Sequence, residues 1–156
     1  MMLKKQFKVN AKWSSKNALG VSINGKTHQV FIDGKPSLTI SAAKTFKGDE
    51  SQYNPEDLLL TALSSCHMMS YFYVCAQNGI ELIDYKDNAI GTLELKADGS
   101  GAFTSVTLQP EIIIANKDMV EIAVSLHDEA HKLCFIANSC NFPMTHNVKV
   151  KVLNTN

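Results

Sequence analysis

The sequence predicts an α+β domain in which two helices lie against largely antiparallel sheet. Three observations lead there. The first forty residues alternate in polarity like strands, the stretch from Leu58 to Ala76 contains no Asp, Glu or Lys, and apolar residues between Met119 and Ala137 recur at helical spacing before a last alternating segment.

Phe7, Val9 and Ala11 alternate with Lys8, Asn10 and Lys12, the pattern of a half-buried strand. Asn24-Gly25, a dipeptide suited to positive φ, separates the apolar runs 19–23 and 28–32 and predicts a hairpin. A turn at Asp33-Gly34-Lys35-Pro36 leads into a short strand, Ser37 to Ile40, and residues 41–54 read as a loop. Asn54-Pro55 then opens a helix, with Asn as N-cap, Pro at the first helical position, and Glu56 and Asp57 at the positive end of the helix dipole. Asn78-Gly79 stops it.

Apolar residues surround this first helix instead of forming a stripe, which predicts burial on every side. Its length would suit a membrane span, but Thr61, Ser64, Ser65, His67 and Ser70 interrupt it and no other segment resembles one. A single domain of this size can hardly enclose it, so a homodimer is expected to supply the remaining cover. Residues 90–97 and 102–115 form a second hairpin across Asp98-Gly99-Ser100-Gly101. Asn116 to Asp118 open a second, amphipathic helix with Met119, Ile122, Leu126, Ala130, Leu133 and Ala137 on one face; Asn141-Phe142-Pro143 breaks it, and residues 147–153 make the final strand. No repeat, low-complexity tract or linker divides the chain, so residues 1–156 are expected to form one domain.

Composition narrows the partners. Apolar residues make up 45% and charged residues 19% of the 156, the balance of a globular protein. Fifteen basic residues offset fifteen acidic ones, and every base is Lys. A neutral chain has no general attraction for nucleic acid or anionic lipid. Without Arg it also lacks the planar fork that grips phosphate or carboxylate through paired hydrogen bonds. Neither a nucleic-acid nor a membrane partner is expected. Met1 to Gln6 is basic but leads into no apolar signal core, so a cytoplasmic, reducing setting is expected.

In that setting Cys66, Cys75, Cys134 and Cys140, which form no CxxC pair, are inert core residues, metal ligands or catalysts. Cys75 follows Cys66 by nine residues and points to the opposite side of the helix. His131-x2-Cys134 and His127-x3-His131 are loose pairs without a convincing partner, so no metal or other cofactor is expected. His127 and His131 are expected to be partly solvated beside Asp128, Glu129 and Lys132.

Asn54-Pro55-Glu56-Asp57-Leu58-Leu59, followed by Ala62-Leu63-Ser64-Ser65-Cys66, resembles the Asn-Pro-Glu-x-Leu-Leu motif and helical cysteine of the OsmC/Ohr family of organic hydroperoxide reductases. Ala130-His131-Lys132-Leu133-Cys134 resembles that family's second motif, Ala-His-x-x-Cys. The resemblance covers nearly the whole chain. It implies an OsmC-like fold in an intertwined homodimer, with active sites at the subunit interface. It further implies a two-cysteine peroxidase in which Cys66 is the peroxidatic nucleophile, Cys134 the resolving thiol and Glu56 a third site residue. An organic hydroperoxide, alkyl or lipid, would be the substrate, and a dithiol or small thiol the reductant.

The chain departs from that pattern at the missing Arg and at Phe135, and the pattern itself raises a question of geometry at Glu56. The family pairs its Glu with an Arg, and this chain has none; Lys44, Lys47 or a protonated His67 would have to serve, with Lys47 preferred. Glu56 would lie about 15 Å from Cys66 on a straight helix, so a shared site needs a break near Thr61 or Ser64-Ser65, and otherwise Glu56 simply complements the dipole. Phe135 follows Cys134 where Pro is common. The missing Arg keeps two other readings open: a non-catalytic dimer that binds a small apolar ligand, and a thiol redox sensor.

Overall fold

A computed structural model describes residues 3–15 and 25–153. The chain divides into two compact units, residues 1–59 and 60–156, and the boundary falls within the first helix.

The N-terminal unit carries one antiparallel sheet of β1 (Asn10–Lys12), β2 (His28–Phe31) and β3 (Leu38–Ile40), in that order. β1 pairs with β2 through Ala11 opposite Val30, and β2 with β3 through Gln29 opposite Thr39. The half-buried strand expected at residues 7–12 is instead short and exposed, with Phe7 93% accessible. The expected strand at 19–23 and Asn24 of its turn lie outside the described residues. The turn at 33–36 forms as expected: the Lys35 N–H donates to Ile32 O at 3.0 Å and Gly34 takes φ +72°.

Residues 44–46 add a short 3-10 turn inside the expected loop. There a side chain at position 48 would collide with the Ala42 backbone, so glycine is required. Ser41, buried beneath this loop, accepts the Asp49 N–H at 3.0 Å and the Thr27 hydroxyl at 3.1 Å.

Helix α1 (Pro55–Gln77) starts and stops where the sequence indicates. Asn54 Oδ1 accepts the Asp57 N–H at 2.8 Å, Gly79 takes φ +68°, and the Ile80 N–H reaches back to Cys75 O at 3.0 Å. Within one chain the helix is covered on one face only, in keeping with the expectation that a single domain cannot enclose it. Leu63, His67, Tyr71, Val74 and Cys75 form its buried face, while Met69, Phe72 and Tyr73 stay exposed. Among the described residues α1 alone is long and apolar enough to cross a membrane, and the same length and apolarity suit a core helix.

The C-terminal unit has two more three-stranded sheets and a second helix. One sheet orders β4 (Leu82–Asp87), β7 (Pro110–Ile114) and β9 (Lys149–Val152); the other orders β5 (Ile90–Leu95), β6 (Gly101–Leu108) and β8 (Met144–His146). The β5–β6 hairpin is the expected one, but the strand foreseen over 102–115 divides at Gln109, and β7 joins the other sheet. The outer pairs β6–β8 and β7–β9 are parallel.

The chain therefore changes sheets between β4 and β5, between β6 and β7, and again on either side of β8. Asp87 pins the first two crossings: Oδ2 accepts the Ser64 hydroxyl at 2.5 Å, and Oδ1 accepts the Gln109 N–H at 2.6 Å.

Helix α2 (Val120–Leu133) follows a 3-10 turn capped by Asn116, whose side chain accepts the Asp118 N–H at 2.9 Å. It is shorter than the sequence pattern suggests. Cys134 is its extended C-cap, and Ala137 belongs to a separate 3-10 turn. Its buried stripe is Ala123, Leu126, His127 and Ala130, rotated from the expected one, so that Ile122 and Leu133 face outward. This stripe packs with Tyr71, Val74, Cys75, Ile80, Ile112 and Ile114 into one core cluster.

Candidate functional site

The fold brings Cys66 and Cys134 together. Cys66 lies in the middle of α1 and is partly buried, while Cys134 ends α2 and is fully buried; both are free thiols. The two thiols are near neighbours, close enough for Cys66 to act on the ionisation of Cys134. Burial pushes the Cys134 thiol up to about 11, and its contact with Cys66 pushes it the same way, against the pull of the Ala137 N–H, 3.4 Å from its sulfur. Cys134 is therefore a protonated thiol at neutral pH.

Cys66 opens onto a cavity of about 440 Å³ lined by Met69, Ser70, Tyr73, Leu133 and Phe135 besides itself. Three of these follow from helical geometry, since positions three, four and seven after Cys66 share its face of α1. That spacing was readable in the sequence, whereas Leu133 and Phe135 come from the end of α2 and carried no such signal. The lining is apolar apart from Cys66, Ser70 and the Tyr73 phenol, and contains no cation.

Cys75 occupies the opposite side of α1, as its spacing requires. It is buried in the core beside Tyr71, and burial raises its thiol. Cys140 ends the 3-10 turn Ala137–Ser139 and is half-buried.

Glu56 stands in the first turn of α1, which runs without a break to Cys66, about 15 Å along the axis. The break that the sequence left open, at Thr61 or Ser64-Ser65, does not occur. Glu56 Oε2 is buried and finds no hydrogen-bond partner among the described residues. Lys44, in the same N-terminal unit, pairs with Glu50 at 2.6 Å. Lys47 caps the short 3-10 turn with φ +61°.

His67 cannot be the substitute cation. Its ring turns into the core, where burial, with smaller contributions from His146 and His131, lowers it to about 4. It is neutral at neutral pH. His127, expected to be partly solvated, is fully buried and lowered to about 3 by burial and by His67 and His146. His67 Nε2 and His127 Nδ1 share a hydrogen bond of 3.0 Å, the rings stack with centroids 5.3 Å apart, and His127 also stacks on Tyr71 at 3.8 Å.

His67 Nδ1 and His127 Nε2 are buried without partners. In either tautomer of the neutral pair, one N–H and one lone pair are left unmatched. His146 from β8 completes the cluster 5.7 Å from His67, its Nε2 3.2 Å from Asp128. Among the described residues no three His, Cys, Asp or Glu side chains are arranged to hold a metal ion.

The model of the family described as OsmC-like protein matches residues 48–149, which include both cysteines. No curated protein matches the chain. Among solved structures, an OsmC-like protein of unknown function from Vibrio cholerae O1 biovar eltor superposes with a TM-score of 0.82 at 25% identity, covering 93% of this chain and 99% of that one. An organic hydroperoxide resistance protein from Elizabethkingia anophelis shares the fold with a TM-score of 0.69 at 19% identity, over 97% of this chain and 100% of the other. One from Legionella pneumophila does so at 0.67 and 20%, over 95% and 99%. With two thiols meeting where the motifs place them, and a family match across well over half its length, the chain belongs to the OsmC-like family.

Proposed function

We propose that the protein is a thiol peroxidase that reduces organic hydroperoxides. The observation that carries this reading is the contact between a cavity-facing Cys66 and a fully buried Cys134 held as a thiol. The thiolate is the reactive form of cysteine, so Cys66 is the nucleophile by position and Cys134 the proton-bearing partner. The Cys66 thiolate attacks the terminal peroxide oxygen, the O–O bond breaks, and an alcohol leaves after protonation. The resulting sulfenic acid condenses with the Cys134 thiol, releasing water and leaving a disulfide that an external dithiol reduces. The apolar lining favours alkyl, aryl or lipid hydroperoxides over hydrogen peroxide.

Glu56, the third residue of the family pattern, serves such a site only from the partner subunit of the homodimer, because the unbroken α1 holds it about 15 Å along the axis from Cys66 of its own chain. The exposed apolar side chains around the cavity, Met69 and Tyr73 on α1 with Leu133 and Phe135, support a homodimer that covers them.

Purified protein with dithiothreitol is expected to consume cumene hydroperoxide with turnover, and Cys66→Ser to abolish it. Absence of consumption by the wild-type protein sinks the reading. The lack of any cation in the cavity lining favours one second reading, a non-catalytic binder of a small apolar ligand. It predicts saturable binding of an apolar fluorophore that hydroperoxide treatment leaves unchanged.

A further inference from the structure

Breaking the O–O bond leaves negative charge on the departing alkoxide oxygen, and a site without Arg needs another donor for it. On the reading of the protein as a peroxidase, we propose that the Ser70 hydroxyl is that donor. Ser70 lies one helical turn after Cys66, on the same face of α1, and lines the same cavity. Side chains at that spacing stand about 5–6 Å apart at Cβ, enough room for one peroxide oxygen beside the sulfur and one beside the hydroxyl.

Ser70 is also uncommitted. The Ser64 hydroxyl is taken up by Asp87 and that of Ser125 by Ile122 O, whereas the Ser70 hydroxyl makes no hydrogen bond with any described residue. A helical serine ordinarily turns its hydroxyl back to the carbonyl four residues before it; here that bond is unmade. Tyr73 is the other hydroxyl of the lining, but it lies three residues further from the sulfur and is 59% exposed, at the rim.

The step balances. Cys66 S⁻ attacks HO–OR and forms the S–O bond of the sulfenic acid as the O–O bond breaks. Sulfur loses two electrons to the peroxide, and RO⁻ departs against the Ser70 O–H before taking a proton from solvent, which replaces the one Cys66 released on ionising.

The test compares Ser70→Ala and Ser70→Thr with the wild-type protein in single-turnover reaction with cumene hydroperoxide, and measures the pH profile of Cys66 alkylation by iodoacetamide in a Cys75→Ser, Cys140→Ser background. Alanine suits a helix interior, so the variant is expected to fold. Ser70→Ala should slow the peroxide reaction by about 100-fold, in line with loss of one oxyanion donor, while the alkylation profile stays in place and Ser70→Thr restores most of the rate. If Ser70→Ala leaves the peroxide rate unchanged, or slows alkylation as much as it slows peroxide reduction, the assignment is wrong. Should the wild-type protein itself fail to react with the hydroperoxide, the peroxidase reading falls first and takes this assignment with it.

Discussion

Acidification from pH 7 to pH 5 should cost the protein several kcal/mol of stability through His67 and His127 alone. An imidazole in the unfolded chain titrates near 6.5, whereas burial lowers these two to about 4 and about 3. Their folded-state values lie below the unfolded one, so their contribution is complete above pH 6.5 and declines as pH falls through the range down to 4 and then 3. At pH 5 the unfolded chain binds a proton at each ring and the folded chain at neither. The difference is about 1.4 kcal/mol per pH unit per ring, or about 2 kcal/mol for each at pH 5 and about 4 for the pair.

The window from 5 to 6.5 lies above the range in which ordinary carboxylates titrate. Urea unfolding followed by far-UV circular dichroism reports α1 and α2, the helices that carry the two rings; the single Trp13 lies in the other unit. His127→Phe lowers stability at every pH because it strands His67 Nε2, but the informative quantity is the slope. Below pH 6 the variant should lose about 1.4 kcal/mol per pH unit less than the wild-type protein. Parallel slopes for the two would refute the argument that these rings are buried and neutral.

Other outcomes follow from single contacts. Cys134→Ser should leave the first peroxide turnover intact and trap the Cys66 sulfenic acid, detectable as a dimedone adduct by mass spectrometry; a disulfide formed in that variant through Cys75 or Cys140 would contradict the pairing. Tyr71→Phe removes the 2.9 Å hydrogen bond from the phenol to Ala123 O inside the core and should lower unfolding free energy by about 1–2 kcal/mol, read by chemical denaturation. Gly91→Ala would put a methyl group 2.7 Å from Phe103 Cε1 and 2.8 Å from Leu60 Cδ2. These side chains must give way, and a loss of about 1–3 kcal/mol is expected, seen as a lower denaturation midpoint.

What could be read from the sequence depended on how local each signal was. The ends of α1 were legible because Asn54, Pro55 and Gly79 act on their immediate neighbours, and the spacing of the two motifs placed both cysteines on the right helices. β4 was missed because its register shifts between Leu82 and Asp84, which breaks the alternation that reveals a strand. The division of the 102–115 strand was marked by Gln109-Pro110-Glu111, where proline cannot donate to a ladder; the strand-like residues on either side led the two strands to be read as one.

The buried face of α2 was read in part: Leu126 and Ala130 lie on it as expected, whereas Ala123 and His127 take the places given to Ile122 and Leu133. Ile122 and Leu133 weigh more on any hydrophobicity count than Ala123 and His127, yet it is Ala123 whose carbonyl takes the Tyr71 phenol and His127 whose ring stacks on Tyr71. No local pattern marks His127 as buried. Its environment is assembled from α1, α2 and β8, segments separated by sixty residues or more of chain for the first pair.

The parallel placement of β8 and β9 has a consequence for how the protein is made. Each adds to an edge of a different sheet, β8 beside β6 and β9 beside β7, and residues 144–152 are the last part of either sheet to leave the ribosome. Until then β6 and β7 present bare edges, the kind of surface on which nascent chains pair wrongly with one another. His146 arrives on β8, so the ring cluster over His67 and His127 is also completed only at that late stage. The C-terminal unit cannot consolidate strand by strand as it is synthesised. It closes in one event at the end, and chains stalled before residue 144 are the ones expected to need a chaperone.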